Sequence, residues 1–174
     1  IPGVWYENHL SAPGFEVTGV TFPGVPGVVI GHNERIAWGV TASLPDTQDL
    51  YLERFHPDDP TLYQVGDGWE RATVHHESVH VRGEATPRLL EVIETRHGPL
   101  VTSLLPLADE PDRVALSLRW VGYEPCFLSR SVVALNRAQD WDQFTEALRD
   151  FDCPSQNFVY ADIEGNIGLY VPGK

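Results

Sequence analysis

Alternation of apolar and polar residues runs through most of the chain, and this period of two is typical of half-buried β-strands. The strands that it predicts in the first third cover residues 4–10, 15–20, 28–30, 36–41 and 50–55. Those predicted further on cover residues 62–65, a strand at Trp69, and residues 73–82, 89–95, 114–120, 157–162 and 166–171. The last two should form a hairpin around Glu164 and Gly165, because glycine accommodates the positive φ that tight turns need.

Helical periodicity is clear in one segment, residues 141–151. Its apolar positions, which share one helix face, are Trp141, Phe144, Leu148 and Phe151. Asp140 precedes them as a suitable N-cap. A weaker pattern allows a second helix over residues 129–135. The predicted fold class is therefore α+β and strand-dominated.

Composition and charge exclude several classes of protein. The chain has 12 Lys+Arg against 25 Asp+Glu, a formal charge of −13, which disfavours nucleic acid as a partner. No apolar run reaches the roughly 18–20 residues of a membrane span. The two cysteines, Cys126 and Cys153, form a disulfide only if the fold brings them together, and two unpaired thiols explain them equally well.

The absence of methionine bears on domain organisation. A primary translation product begins with methionine, and none of the 174 residues is one. We therefore expect a processed or excised piece of a longer protein. The length then corresponds to one domain or to one lobe of a larger domain.

Local motifs offer few catalytic signals. There is no P-loop, no Gly-x-Ser-x-Gly elbow, no His-Glu-x-x-His and no Cys-x-x-Cys. His75, His76 and His80 lie close together, but a zinc site needs three or four convergent ligands, and an exposed strand face is the favoured interpretation. The acidic segment at residues 162–166 is explained by a hairpin turn.

A pair of carboxylates follows Pro45. Asp46 and Asp49 could converge on one hard cation, with a backbone carbonyl between them. Calcium takes six to eight oxygen ligands, so this segment could supply only part of a shell. A solvated turn in which aspartate caps backbone amides is the alternative, and spacing alone favours the turn.

A series of segments occurs in the order of a known family. They are residues 5–10 (WYENHL), 26–42 (PGVVIGHNERIAWGVTA), 46–51 (DTQDLY), 95–99 (TRHGP), 136–138 (NRA) and 155–168 (SQNFVYADIEGNIG). Together they resemble the penicillin acylase (penicillin amidase) family of N-terminal-nucleophile hydrolases. The matches extend from one end of the chain to the other, and in combination they are highly specific.

The resemblance implies an amide-bond hydrolase made as a self-cleaving precursor. In this family a serine freed at the N-terminus of a large β chain attacks the amide carbonyl, and its own α-amine acts as base, directly or through a water. The implied fold is a four-layer αββα sandwich of antiparallel sheets. The implied substrates are β-lactams with an acyl side chain or N-acyl homoserine lactones, and the implied location is periplasmic or extracellular.

The resemblance also implies roles for individual residues at the substrate. Ala42 matches a position whose backbone N–H is one donor of the oxyanion hole. Ile30, Val40 and Leu44 match positions that line the acyl pocket. Aliphatic residues at these positions suit an aliphatic acyl chain as readily as phenylacetyl.

A calcium site is implied in the same way. Asp46, Gln48 (through its carbonyl) and Asp49 match calcium-binding positions, which reverses the preference based on spacing alone.

Three further residues in the matching segments receive structural roles. His32 and Asn33 are interpreted as a turn whose side chains bind nearby backbone, because the N-terminal amine already serves as the base. His97 is interpreted in the same way.

Important parts of the family pattern are missing. The nucleophile, the second oxyanion donor (an asparagine side chain), the remaining calcium ligands and the α chain are all absent, so residues 1–174 are expected to be an internal part of the β chain. Its partners would be the α chain and the rest of the β chain. The isolated fragment should be inactive and prone to self-association. The alternative is a strand-rich binding or structural module that shares the scaffold without catalysis.

Overall fold

A computed structural model describes residues 3–105 and 114–173 of the chain. The chain divides into two compact units, a first unit of Ile1–Pro45 with Val121–Lys174 and a second unit of Asp46–Trp120. Strands account for 48% and helices for 16% of the structure, and the sheets are antiparallel. The prediction of a strand-dominated α+β fold is therefore confirmed.

The elements follow one another in a strand-rich order. The strands are β1 (Tyr6–Ala12), β2 (Phe15–Thr21), β3 (Ile30–His32), β4 (Ile36–Ala42), β5 (Gln48–Glu53), β6 (Phe55–His56), β7 (Asp59–Val65), β8 (Gly68–Arg71), β9 (Thr73–Val79), β10 (Arg88–Thr95), β11 (Gly98–Pro99), β12 (Ala115–Trp120), β13 (Gln156–Asp162) and β14 (Ile167–Tyr170). The helices are α1 (Leu128–Arg137) and α2 (Trp141–Ala147). In the described part of the chain, no helix is long and apolar enough to cross a membrane.

The first unit contains one antiparallel sheet with the strand order β1-β2-β3-β4-β13-β14. Its central pair, β4 and β13, runs from Ala42 opposite Gln156 to Ile36 opposite Asp162. The predicted terminal hairpin is confirmed, since β13 pairs with β14 and Gly165 in the turn has φ +90°.

Two facing glycines allow a close approach between β2 and β3. Gly19 lies opposite Gly31, and a Cβ on either residue would come within 2.1 Å of a backbone oxygen of the other strand. The space above the pair is filled by Val28, which is fully buried. Glycine at both positions is therefore required by packing.

The strand predicted at residues 28–30 is displaced, because β3 begins only at Ile30. Both backbone groups of Val28 are bound by a side chain of α1: its N–H donates to Asn136 Oδ1 and its carbonyl accepts from Asn136 Nδ2, each at 2.7 Å. A residue held in this way has no backbone group left for a ladder.

One face of the sheet packs against α1 and α2. The buried apolar cluster between them consists of Val17, Val28, Ile36, Trp38, Val132, Leu135, Ala138, Phe144, Ala147, Leu148, Phe151, Phe158 and Tyr160. Phe158 on β13 makes edge contacts with Phe144 and Phe151, at centroid distances of 6.3 and 5.0 Å. Such T-shaped pairs are favourable for aromatic rings.

The two helices differ from their predicted lengths. Asp140 caps α2 as predicted, accepting from the Gln143 N–H at 2.8 Å. The α-helix ends at Ala147 and continues as a 3-10 turn over Leu148–Asp150, a common form of the last turn. The predicted helix at 141–151 was thus too long, whereas α1 extends beyond the predicted residues 129–135 at both ends.

The second unit is built from three small sheets: β5 with β12, β9-β10-β11, and β6-β7-β8. The strand predicted over 73–82 ends at Val79, and the chain turns at Gly83, whose φ is +93°. Among the described residues of this unit, the buried apolar side chains are Tyr63 and Ala72 and the buried polar ones are Glu53, Thr95, Thr102 and Ser117.

Candidate functional site

A cavity of about 420 Å³ opens in the first unit at the end of β4, on the face of the sheet that the helices cover. Its lining consists of Trp5, Phe22, Val25, Val29, Val40, Thr41, Ala42, Leu128, Val132, Phe151, Pro154, Gln156 and Phe158. The volume is in the range of small-molecule sites, and the lining is mostly hydrocarbon. Such a cavity can hold an apolar group of moderate size.

The strand period explains which sheet residues face the cavity. Ile36, Trp38 and Val40 alternate along β4 towards the helices, and Phe158 does so on the neighbouring strand β13. Thr41 has its side chain on the opposite face, where its hydroxyl accepts a hydrogen bond from Asn157 Nδ2 at 3.2 Å. Thr41 therefore contributes backbone to the cavity.

The remaining walls come from distant parts of the sequence. α1 contributes Leu128 and Val132, and Phe151 follows the 3-10 turn after α2. Trp5 packs against Phe22 with ring centroids 3.8 Å apart and the rings tilted by 35°. The cavity is thus bounded by α1, by Phe151 beyond the 3-10 turn, and by the segment that precedes β1.

Ala42 lies at the rim of the cavity in a defined hydrogen-bonding position. The N–H of Ser43 donates to the carbonyl of Ser155, at 3.5 Å, so Ala42 and Gln156 between them form a non-hydrogen-bonded pair. In such a pair the backbone N–H groups point away from the partner strand. β3 pairs with β4 only at Trp38 and Ala37, so it does not reach the Ala42 N–H. An N–H in this position can donate to a ligand.

Only one of the three residues predicted to line the acyl pocket lies at the cavity. Val40 lines the cavity. Ile30 does not, because it pairs with Val20 on β2, and both face away from the side on which Gly19 and Gly31 contact Val28. Leu44 is 88% exposed, with φ +50°, and lies outside the lining. The roles of Ile30 and Leu44 remain predictions.

The predicted calcium ligands lie at the start of the second unit. Asp46, Gln48 and Asp49 are exposed, and Asp49 Oδ1 accepts from the Leu50 N–H at 2.9 Å. The donor set contains only oxygen, which suits calcium, but its three residues supply only part of the usual six to eight ligands. Over residues 3–105 and 114–173 no group of three His, Cys, Asp or Glu side chains is arranged to hold a metal. The calcium role remains a prediction.

Asn33 has the structural role expected of it. Its Oδ1 accepts from the N–H groups of Arg35 and Ile36, each at 2.9 Å. Its Nδ2 donates to the carbonyl of Ala138, at 2.7 Å. The turn between β3 and β4 is thereby tied to the end of α1, and the neighbouring His32 ring forms a hydrogen bond with the Asn33 carbonyl at 3.2 Å.

His97 belongs to a buried polar cluster in the second unit that centres on Glu53. Glu53 Oε1 accepts from Thr95 Oγ1 at 2.7 Å, from Ser117 Oγ at 2.6 Å and from His97 Nδ1 at 2.8 Å. Burial acts most strongly on the pKa of Glu53 and raises it, but the hydrogen bonds together outweigh burial and leave this pKa below its usual value. Arg96 Nε donates to His97 Nε2 at 3.2 Å, which ties the other side of the ring to the neighbouring residue.

The other candidate groups have simple environments. His75 forms an exposed pair with Glu94, at 3.0 Å, and His76 and His80 are also exposed. Cys126 is exposed and Cys153 half-buried, and both are free thiols. The pKa of Cys153 is raised, chiefly by burial.

The chain is similar in sequence to known proteins along its whole length. A model of the penicillin amidase family matches residues 1–174. The acyl-homoserine lactone acylase QuiP of Pseudomonas aeruginosa is 35% identical over 184 residues, a match that covers 100% of this chain and 21% of the relative. The penicillin acylase 2 proenzyme of Pseudomonas sp. strain SE83 is 34% identical, with 100% and 22% covered. The chain thus spans about a fifth of the length of these relatives.

The fold is also similar to a solved structure. A thermostable penicillin G acylase from Alcaligenes faecalis superimposes with a TM-score of 0.82 and 32% sequence identity. The match covers 99% of this chain and 30% of that one.

Proposed function

The chain belongs to the penicillin amidase family, and on that premise we propose that it is part of an acylase that hydrolyses the acyl amide of β-lactams or N-acyl homoserine lactones. The observation that carries the proposal is the apolar cavity beside Ala42, whose backbone N–H is directed out of the β4–β13 ladder. An acyl chain in the cavity would bring its carbonyl to this rim.

In the proposed reaction the chain binds the acyl group and polarises its carbonyl. Val40 and the surrounding apolar side chains exclude water from the acyl chain, and the Ala42 N–H donates to the oxygen that becomes negative in the tetrahedral intermediate. The serine nucleophile would come from the N-terminus of the mature β chain and a second oxyanion donor from elsewhere in the parent enzyme. We therefore expect the isolated 174-residue chain to lack acylase activity.

A structural calcium ion belongs to the same proposal. Asp46, the Gln48 carbonyl and Asp49 would provide part of its oxygen shell, and the parent enzyme would provide the rest. When bound, the ion would neutralise the two carboxylates and order the segment between them. Terbium luminescence tests this in the parent enzyme: a signal that calcium displaces, and that Asp46→Asn weakens, supports the site, while no signal contradicts it.

The exposed face of the first sheet is the basis for proposing that other parts of the parent protein pack against this chain. Apolar residues remain exposed there on neighbouring strands: Val159 is 54%, Ile167 87% and Leu169 61% exposed. Apolar patches of this kind are usually covered in the functional protein. We propose the α chain and the rest of the β chain as the cover, and self-association when they are missing. A periplasmic or extracellular location is part of the proposal.

The function is tested at Ala42 in the parent enzyme. Ala42→Pro removes the N–H without removing a bond of the β4–β13 ladder, so the sheet should persist. We expect kcat for a chromogenic acyl amide to fall about 100- to 1000-fold. Ala42→Gly keeps the N–H and should retain most activity.

Three outcomes would contradict the proposal. If Ala42→Pro turned over substrate like the wild type, Ala42 would not be an oxyanion donor. If the wild-type parent enzyme hydrolysed no acyl amide, the acylase function would fail, and the noncatalytic module would be favoured. If the isolated chain turned over substrate by itself, the need for a missing nucleophile would be refuted.

A further inference from the structure

Gln156 is an anomaly in the cavity of the first unit. The other lining side chains are hydrocarbon or aromatic, apart from Thr41, whose hydroxyl is on the other face of the sheet. No described residue forms a hydrogen bond with the Gln156 carboxamide, although the side chain is half-buried. A donor and an acceptor are thus presented together inside an otherwise apolar site.

The position of Gln156 is set by strand register. It lies directly opposite Ala42 in a non-hydrogen-bonded pair, where the two Cα atoms are about 4.5 Å apart and the side chains share one face. Phe158, two residues further along β13, is on the same face and is buried in the core. The carboxamide therefore extends into the cavity just beyond the rim at Ala42.

When an acyl chain fills the cavity, the half-buried carboxamide loses the water that reaches it in the open site, and this loss is unfavourable unless the ligand supplies a new partner. Apolar residues of similar length would fill the same space without that loss. A ligand that forms a hydrogen bond with the carboxamide offsets the loss of water, and a ligand of hydrocarbon alone does not. Gln156 can consequently discriminate between ligands that differ by one oxygen atom.

We propose that Gln156 is a specificity-determining residue that selects acyl groups carrying a hydroxyl or keto oxygen on the second or third carbon, counted from the carbonyl. The inference rests on the proposed acylase function, because Ala42 sets where the carbonyl binds. A carboxamide both donates and accepts, so it can bind either oxygen function. The distance from Ala42 restricts recognition to carbons near the carbonyl, and the rest of the chain contacts only apolar side chains.

The test compares matched substrates in the complete parent enzyme. Octanoyl, 2-hydroxyoctanoyl, 3-hydroxyoctanoyl and 3-oxooctanoyl amides of one chromogenic amine are assayed with the wild type and with Gln156→Met. We expect the wild type to prefer at least one oxygenated substrate about tenfold in kcat/KM. Gln156→Met should abolish this preference and improve the value for the octanoyl amide.

Controls separate specificity from folding and from catalysis. Gln64→Met changes a glutamine of the second unit that is not part of the cavity and should leave the preference unchanged. Gln156→Leu serves as a second apolar replacement if Gln156→Met does not accumulate. Calorimetry with octanoate and 3-hydroxyoctanoate repeats the comparison without turnover.

The outcomes distinguish the two proposals. Equal kcat/KM values for all four substrates in the wild type, or a preference that persists in Gln156→Met, would overturn the role of Gln156 and leave the acylase function intact. Hydrolysis of none of the four would instead count against the acylase function, and the calorimetric comparison would then decide whether Gln156 still selects the oxygenated acyl group.

Discussion

The first unit buries a continuous apolar cluster between its sheet and two helices, whereas in the second unit the buried side chains among the described residues are mainly polar. In the first unit Phe144, Leu148 and Phe158 are at most 1% exposed. In the second unit the buried polar cluster centres on Glu53, whose side chain is 3% exposed. One chain therefore uses two different sources of stability.

The difference follows from how much apolar surface each unit can bury. Helices against a sheet bury large side chains, at roughly 25 cal/mol for each Å² removed from water. The described part of the second unit has no α-helix to cover its sheets, and many of its large apolar residues remain exposed, such as Leu52 at 73% and Leu89 at 78%. It depends instead on a carboxylate whose oxygen is bound by three donors, an arrangement that is stable only while every partner remains.

Removing a core aromatic should have the largest effect, and it should be confined to the first unit. Phe144 is fully buried and contacts the rings of Trp141 and Tyr160, at centroid distances of 5.5 and 4.9 Å. We expect Phe144→Ala to lower the free energy of unfolding by about 3–5 kcal/mol because it leaves a cavity. Hydrogen exchange resolved by peptide measures this loss separately in each unit.

Leu169→Ala is the matched control, since Leu169 is 61% exposed. Its effect should be within about 0.5 kcal/mol. Equal losses of protection in both units for Phe144→Ala would refute the separation between them.

Removing the buried carboxylate should have the next largest effect, now in the second unit. Glu53→Ala leaves the hydroxyls of Thr95 and Ser117 buried without their acceptor. We expect a loss of about 3 kcal/mol, measured by the same exchange experiment. Glu53→Gln keeps the volume and one acceptor oxygen, so about half of that loss is expected. If Glu53→Ala left the stability of the second unit unchanged, the polar cluster would contribute nothing to that stability.

Acid should reproduce part of that effect in the wild type. The pKa of Glu53 is lower in the folded than in the unfolded state, so its carboxylate stabilises the second unit above about pH 4.5. This contribution should disappear as the pH falls through the folded pKa. Stability measured between pH 6 and pH 3 should therefore depend less on pH in Glu53→Gln. Some dependence should persist, because the pKa of Asp59 is also lowered, chiefly by its hydrogen bonds with Thr61.

Sequence patterns predicted the features that depend on neighbours along the chain. The strands of the terminal hairpin, the turn at Gly165 and the cap at Asp140 all follow from local alternation and turn chemistry. α1 was underestimated because its buried face includes two polar residues, Ser131 and Asn136, which obscure the apolar period. Both form hydrogen bonds with distant backbone: Ser131 donates to the Ala147 carbonyl, and Asn136 donates to the Val28 carbonyl.

Features made by distant segments could not be predicted in this way. The acceptor Glu53 and its donor Ser117 are 64 residues apart, and neither residue belongs to a recognisable motif. Of the three positions predicted to line the acyl pocket, only Val40 lines the cavity, whereas Ile30 and Leu44 do not. Ala42, predicted as an oxyanion donor, lies at the rim, and the contributions of Phe151 and Gln156 were not predicted. Gln156 does lie in a matching segment, and its register with Ala42 was the missing information.

Removing the helix cap should have the smallest effect and should again be confined to the first unit. Asp140 Oδ1 accepts from the Gln143 N–H and Oδ2 from Gln143 Nε2, each at 2.8 Å, while Gln143 Oε1 accepts from the Gln139 N–H. Asp140→Ala leaves the Gln143 N–H in the first turn of α2 without its acceptor and should cost about 1 kcal/mol.

Asp140→Asn keeps an acceptor oxygen and should recover most of the loss. Since the described part of the second unit contains no α-helix, its exchange should not change in either variant. A loss much larger than that of Glu53→Ala would imply that the first unit depends on its helix ends more than on its apolar core, which would reverse the comparison between the units.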